Sequence, residues 1–81
     1  TKVVPAGELG AEVDGLARRL ADGPTVAFGA IRRSVAHSAG HGFEESLAFE
    51  AEMMALTGGT EDHLTAVNAF VAKEKPVWYG R

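Results

Sequence analysis

The sequence predicts an all-α fold, a small bundle of about four helices preceded by a short extended segment. Apolar residues recur at helical spacing in four stretches of the chain, and glycine- or proline-containing segments separate these stretches. With 81 residues the chain can form one small domain. We assign residues 1–5 to the end of an extended segment and residues 6–81 to a helical domain.

The extended segment contains the β-branched pair Val3-Val4, which Pro5 stops. It is too short to form a sheet by itself, and the chain begins with Thr1 rather than methionine. We therefore expect this segment to be the remnant of an upstream domain.

The first predicted helix covers residues 8–22 and stops at Gly23. Its apolar stripe consists of Leu9, Val13, Leu16 and Leu20. Gly10 and Gly15 inside it each cost about 1 kcal/mol relative to alanine. A helix with these two glycines needs a packing partner, or a backbone contact so close that only glycine fits.

The second and third predicted helices begin at Pro24 and near Phe43. The stripe of the second helix consists of Val26, Ala30, Ile31 and Val35, and the segment 38–42 ends it. The third helix is apolar over more than a narrow stripe, through Phe43, Leu47, Phe49, Ala51, Met53, Met54 and Leu56. We therefore expect it to be buried on two sides or to lie in an interface.

The fourth predicted helix follows the break at residues 57–59, with Thr60 as its cap and two acidic residues in its first turn. Its apolar side consists of Leu64, Val67, Phe70 and Val71. Pro76 is predicted to limit this helix, because the residue before a proline avoids helical angles. Residues 77–79 then form an extended apolar tail.

Composition excludes several classes of protein. The net charge is −3, and the basic residues form only short pairs such as Arg32-Arg33, so the chain lacks the basic face that generic nucleic-acid binding needs. The absence of cysteine excludes disulfides, thiol catalysis and cysteine-ligated zinc. No apolar run approaches the ~20 residues that cross a bilayer. We therefore expect no nucleic-acid or membrane partner and a cytoplasmic location.

The patterns for catalysis and metal binding are weak. His37 and His41 have the spacing of two helical metal ligands, but glycines break the helix there, which favours a surface loop. Asp62 with His63 is too little for a catalytic triad. None of the serines lies in a nucleophile-elbow pattern, namely Ser34, Ser38 and Ser46.

Carboxylates and methionines of the third helix have structural interpretations that we favour. Acid–base catalysis needs a partner group and a shifted pKa in a pocket, whereas several glutamates on one helix are typical of a solvated face. These glutamates are Glu44, Glu45, Glu50 and Glu52. Met53 and Met54 with Phe49 could line a ligand cavity, but they fit a core or a subunit interface better. We expect neither a catalytic residue nor a metal site in this chain.

Phe70 and Lys73 are three residues apart, which predicts that they are neighbours on one face of the fourth helix. An aromatic ring can stack on a nucleotide base, and a lysine ammonium can contact phosphate. Spacing alone leaves a second interpretation open, in which Phe70 belongs to the core and Lys73 is solvated.

Taken in order, the segments of this chain resemble the carboxyl-terminal helical region of the enoyl-CoA hydratase/isomerase (crotonase) superfamily, over essentially all 81 residues. The resemblance rests on the order and spacing of the pieces together. The pieces are Val3-Val4-Pro5 with Glu8-Leu9, Gly23-Pro24 with Ala27 and Arg32-Arg33, Phe43-Glu44-Glu45-Ser46-Leu47 with Glu50, Thr60-Glu61-Asp62, and residues 69–77.

The resemblance implies that the catalytic groups lie in an amino-terminal spiral of strands and helices, outside this chain. Backbone N–H groups there hold the thioester oxygen as an oxyanion, and acidic side chains handle water or protons. The helices of this chain would build trimers or hexamers and cover part of the acyl-CoA site. On this pattern Phe70 and Lys73 approach the adenine and phosphates of coenzyme A bound by a neighbouring subunit. No tightly bound cofactor is implied.

Two hypotheses follow. In the first, the chain is the C-terminal helical domain of an enoyl-CoA hydratase/isomerase-like enzyme, inactive by itself, and serves in oligomer assembly and in closing the acyl-CoA pocket. In the second, it is a free-standing helical interaction module without a ligand, in which Phe70 and Trp78 only pack.

Overall fold

The computed structural model describes residues 2–81 and contains four α-helices, with no strand among these residues. The helices are α1 (Leu9–Ala21), α2 (Thr25–Ser38), α3 (Phe43–Gly58) and α4 (Glu61–Ala72), and a 3-10 turn (Ala6–Glu8) precedes α1. The all-α prediction is confirmed. Within the predicted extended segment, Thr1 lies outside the described residues, and Val3 is 99% exposed.

Local hydrogen bonds explain where α3 and α4 begin. The N–H of Gly42 donates to the Glu45 carboxylate at 3.1 Å, which holds the first turn of α3. At α4 the Thr60 hydroxyl accepts the N–H of His63 at 3.1 Å, as its predicted role as a cap requires. Pro24 lies one residue before α2 rather than in its first turn, and its carbonyl accepts the N–H of Phe28 at 3.0 Å.

The predicted end of α4 is wrong, because Pro76 does not set it. The helix ends at Ala72, and Lys73 has a left-handed backbone with φ 58° and ψ 36°. The N–H of Glu74 donates to the Ala69 carbonyl at 2.9 Å, and the N–H of Lys73 donates to the Phe70 carbonyl at 3.2 Å. These two bonds form a Schellman motif, which closes the helix and reverses the chain before the proline is reached.

The four helices form a flat and open arrangement. The most extensive helix–helix contact joins α2 to α3, α4 adjoins α3, and the main contact of α1 is with the neighbouring 3-10 turn. The principal extents are 44 × 39 × 19 Å, and the radius of gyration is 16.0 Å. A compact domain of this length would have a radius of gyration of about 12 Å. The chain therefore lacks the shape of an independent globule.

Very little apolar surface is buried within residues 2–81. Ala30, on α2, is the only apolar side chain in this range that is buried. The stripe of α1 is about half exposed, as at Leu16 (49%), and α3 exposes Phe43 (82%) and Met54 (74%). Helix α3 is therefore not buried on two sides within the described chain, and its predicted place in an interface remains as the alternative.

The glycines of α1 are not explained by a close contact among the described residues. A Cβ added at Gly10 would meet no atom within 4 Å, and one added at Gly15 would meet only the end of the Arg19 side chain at 3.7 Å. Within residues 2–81 no helix has the length and apolar character that would let it cross a bilayer.

Candidate functional site

The predicted ligand-binding pair lies where α4 ends and the chain reverses. Phe70, in the last turn of α4, is 84% exposed. Lys73 is also exposed, but it is the first residue beyond the helix. The expectation that both residues share one helical face is therefore wrong, because the left-handed backbone at Lys73 takes its side chain off the helix. The exposure also excludes Phe70 from a core made by the described residues.

Lys73 is the one non-glycine residue with positive φ among residues 2–81. A left-handed backbone costs a residue with a Cβ about 1–2 kcal/mol, and glycine is the usual residue at this position of a Schellman motif. A strained backbone under an exposed charged side chain is a feature that often accompanies function.

Beyond Lys73 the tail runs back along α4. From Ala72 to Asp62 the helix is about 15 Å long, and residues 73–79 span about 20 Å when extended. The tail therefore has little slack between its two ends. Trp78 is partly buried in a cleft between the start of α2 and α4, lined by Pro24, Val26, Ala27, Thr60, His63 and Ala66.

The tail is held by the carboxylate of Asp62, which is 2% exposed. One carboxylate oxygen accepts the N–H of Tyr79 at 2.6 Å, and the other accepts the N–H of Gly80 at 3.0 Å. The N–H of Asp62 donates in return to the carbonyl of Arg81 at 2.9 Å. Because the carboxylate also lies in the first turn of α4, the helix dipole stabilises its charge. We name these three bonds the Asp62 clasp.

Gly80 and Arg81, which both take part in the clasp, have further features that support it. Gly80 has φ +73°, and a Cβ added there would lie 3.0 Å from the Thr25 hydroxyl, so both the backbone angle and the available space favour glycine. Arg81 donates to the Glu61 carboxylate at 2.8 Å. This hydrogen bond, together with the charge of Glu61, raises the pKa of Arg81 above its ordinary value. The guanidinium therefore stays charged.

His37 and His41 stack on each other instead of converging on a point. Their ring centroids are 3.7 Å apart and nearly parallel, and the other face of His37 stacks on Phe49 at 4.2 Å. His41 Nδ1 lies 2.7 Å from the carbonyl oxygen of His37. This hydrogen bond occupies one of the two ring nitrogens of His41. Parallel rings cannot direct their nitrogens at one ion, so this pair is an aromatic stack.

The other candidates have local roles. Glu45 binds the start of α3, as described above, and the Ser38 hydroxyl donates to the Ser34 carbonyl at 2.9 Å. Glu50, Met53 and Met54 line an open, mostly apolar groove of about 540 Å³ between α2 and α3. Phe49 contributes to the histidine stack rather than to this groove.

Sequence reasoning missed the Asp62 clasp. The sequence places Asp62 in the first turn of α4 and next to His63, but its carboxylate binds backbone N–H groups 17 and 18 residues further along the chain. A signal was present, because an aspartate in the first turn of α4 and a glycine next to the last residue suit an anchored tail. The spacing of these two residues does not predict the reversal at Lys73, however. Without that reversal the end of the tail would not reach the first turn of α4.

Comparisons of sequence and of structure both find proteins described as enoyl-CoA hydratases. The chain is 32% identical over 81 residues to a Dictyostelium discoideum protein named "Probable enoyl-CoA hydratase, mitochondrial", and spans 29% of its length. It superimposes with a TM-score of 0.93 on a crystal structure from Mycobacterium abscessus described as an enoyl-CoA hydratase/isomerase, at 38% identity over 98% of this chain and 30% of that one.

A third relative has the same helical arrangement at lower identity. It is a Geobacillus kaustophilus protein, also described as an enoyl-CoA hydratase, with 26% identity and a TM-score of 0.93 over 98% of this chain and 30% of that one. No family model matches the chain. The chain thus spans slightly under a third of each of these relatives.

Proposed function

Because this chain belongs to the enoyl-CoA hydratase/isomerase (crotonase) superfamily and is similar to its carboxyl-terminal helical region, we propose that it is an assembly and pocket-forming domain. In this role it joins subunits into a trimer or hexamer and covers part of an acyl-CoA site. It is not catalytic by itself. The division into residues 1–5, from an upstream domain, and residues 6–81, the helical domain, is part of the same proposal.

The observation that carries the assembly role is the exposure of nearly all apolar side chains in a chain that nevertheless superimposes on the relatives. A TM-score of 0.93 means that the helices have the same arrangement in a protein about three times longer. In residues 2–81 only Ala30 is buried among the apolar side chains. Hydrophobic burial is the main stabilising contribution in a folded domain, so the stripes of α1 and α3 need surfaces from outside this chain.

The pocket role rests on Phe70 and Lys73. Phe70 offers an open ring face, which can stack on the adenine of coenzyme A, and such stacking contributes about 1–3 kcal/mol per base. Lys73 offers an ammonium on a left-handed backbone, and it can contact the phosphates as a point charge. A helix end that presents both residues in this way fits a nucleotide better than it fits an apolar acyl chain.

The parent reaction in this proposal is the addition of water across a trans-2-enoyl thioester, or a related isomerisation through a thioester enolate. The groups that hold the oxyanion and move protons would come from the parent enzyme outside this chain. Coenzyme A enters as part of the substrate, and no tightly bound cofactor is proposed. We also propose a cytoplasmic location, which cell fractionation would test, and no partnership with nucleic acid or membrane.

The proposal can be tested with a chimera in which these 81 residues replace the matched 30% of the Mycobacterium abscessus protein. We expect the isolated chain to show no hydration of crotonyl-CoA. We expect the chimera to assemble as the parent does and to regain activity that the parent loses when that portion is deleted. Turnover by the isolated chain, or an inactive chimera of normal assembly, would contradict the proposal. A chain that is stable and monomeric alone would favour the free-standing interaction module.

A further inference from the structure

The Asp62 clasp has a consequence for the nucleotide site at the other end of α4. We propose that Asp62 is a positioning residue that holds the Lys73 ammonium in place through the anchored tail. This inference rests on the proposed role of Lys73 in binding coenzyme A, and it assigns a second, remote residue to the same site.

The first step of the argument is the strain at Lys73. Its left-handed backbone is one that residues with a Cβ adopt only when the surrounding structure fixes it. The Schellman bonds from Lys73 and Glu74 fix it on the helix side. Beyond Glu74, the next hydrogen bond that the tail makes within residues 2–81 is the one from Tyr79 to the Asp62 carboxylate.

The second step is the attachment itself. About 20 Å of extended chain covers about 15 Å of helix, so attaching the far end of the tail narrows the directions in which the chain can leave Lys73. The two bonds to the Asp62 carboxylate are charge-assisted and half-buried, because Asp62 is 2% exposed whereas the donor residues Tyr79 and Gly80 lie at the surface. They join the tail to the first turn of α4. Releasing them frees the tail and removes one of the two constraints on the Lys73 backbone.

The third step separates positioning from binding. Asp62 lies about 15 Å from the end of α4 along the helix, and its carboxylate is occupied by backbone N–H groups. It cannot therefore contact a nucleotide that is bound at Phe70 and Lys73. We therefore expect an effect of Asp62 on coenzyme A affinity to act through the tail.

The test uses the chimera with two independent ways of opening the clasp. Asp62→Asn keeps the shape of the side chain but replaces one acceptor oxygen by a donor. Gly80→Ala leaves the carboxylate unchanged and pushes the tail against Thr25. Asp22→Asn, on an exposed residue after α1, is the matched control. Each protein is titrated with coenzyme A and with an acyl-pantetheine that lacks the nucleotide, and hydrogen exchange at Tyr79 and Gly80 reports whether the tail has been released.

We expect both clasp variants to weaken coenzyme A binding about threefold to tenfold, no more than Lys73→Ala does, since they misplace rather than remove one charge-assisted contact. Binding of the acyl-pantetheine should stay within about twofold of the unmodified chimera, because its site lacks the lysine contact. Adding Asp62→Asn to Lys73→Ala should weaken binding no further.

Three results would overturn the inference. One is unchanged coenzyme A affinity in variants whose tail amides exchange freely. Another is an equal loss for both ligands, which would indicate general structural damage. The third is a full additional loss in the double variant. If Lys73→Ala itself leaves coenzyme A binding unchanged, the proposed function fails; if Lys73→Ala weakens binding and the clasp variants do not, only the role of Asp62 fails.

Discussion

The two ends of this chain are stabilised in opposite ways. Helix α1 has a regular apolar stripe, yet its main contact is with the adjoining 3-10 turn, and Leu16 remains 49% exposed. Helix α4 also exposes its apolar residues, but half-buried hydrogen bonds to the Asp62 carboxylate tie its tail back to its first turn. The comparison indicates that α1 depends on a surface outside this chain, whereas the tail is held by the chain itself.

The largest expected effect tests the dependence of α1. Leu16→Glu should leave the helicity of the isolated chain nearly unchanged, because the site is half exposed there. In the chimera the same change would bury a charge, which we expect to cost about 3 kcal/mol or more. Sedimentation and thermal unfolding measure this loss, with Ala11→Glu on the opposite face of α1 as the control. Equal tolerance of both changes in the chimera would remove α1 from the interface.

The second prediction concerns the Asp62 clasp. Asp62→Ala leaves two N–H groups of the tail without their charged acceptor, and each such bond contributes about 1.5–3 kcal/mol. We expect a loss of this order in the free energy of unfolding of the chimera, together with rapid hydrogen exchange at Tyr79 and Gly80. Asp22→Ala serves as the control, since that residue is exposed. Slow exchange of both amides in Asp62→Ala would mean that the tail is held by Trp78 instead.

The third prediction separates stability from binding at one residue. Lys73→Gly relieves the left-handed backbone and should raise the free energy of unfolding by about 1 kcal/mol. It also removes the ammonium, so coenzyme A should bind about tenfold more weakly to the chimera. Denaturant unfolding and calorimetric titration measure the two effects. Lys75→Gly, two residues further along the tail, is the control, and it should neither raise the free energy of unfolding nor weaken coenzyme A binding. Similar results for the two lysines would contradict a special role for Lys73.

The smallest effects come from two glycines of the amino-terminal half. Gly15→Ala adds a methyl group that meets only the end of the Arg19 side chain at 3.7 Å. The helix should therefore become more stable by about 1 kcal/mol, and the helicity of the isolated chain should rise. Gly23→Ala places its methyl 2.6 Å from the Phe28 ring, which must move. Thermal unfolding followed by circular dichroism compares the stability of the two variants. A gain in stability for Gly23→Ala would show that the Phe28 ring moves freely.

Prediction from the sequence succeeded where structure depends on near neighbours. The start of α3 near Phe43 and the cap at Thr60 follow from bonds that span three residues. The end of α4 was predicted incorrectly because the Schellman turn puts a lysine where glycine is usual, and proline seemed the stronger stop signal. The anchor that holds the tail after this reversal is Asp62, which lies 11 residues before Lys73, so residues near the helix end do not predict it.

The packing was harder to predict than the helices, for a physical reason. The sequence predicts apolar stripes on α1 and α3, and within residues 2–81 these stripes are largely exposed. The pair Phe70 and Lys73 is a prediction from spacing and from the family resemblance, and each residue is exposed near the carboxyl end of α4. Their relative placement depends on the φ of 58° at Lys73, which spacing could not give.

The central claim is that this chain contributes the Lys73 ammonium to an acyl-CoA site. Its most direct test is the dissociation constant of coenzyme A for the chimera, compared with the same protein carrying Lys73→Ala. We expect affinity about tenfold weaker in the variant, because it loses one charge-assisted contact. Equal affinity in a variant that is folded and assembled would contradict it.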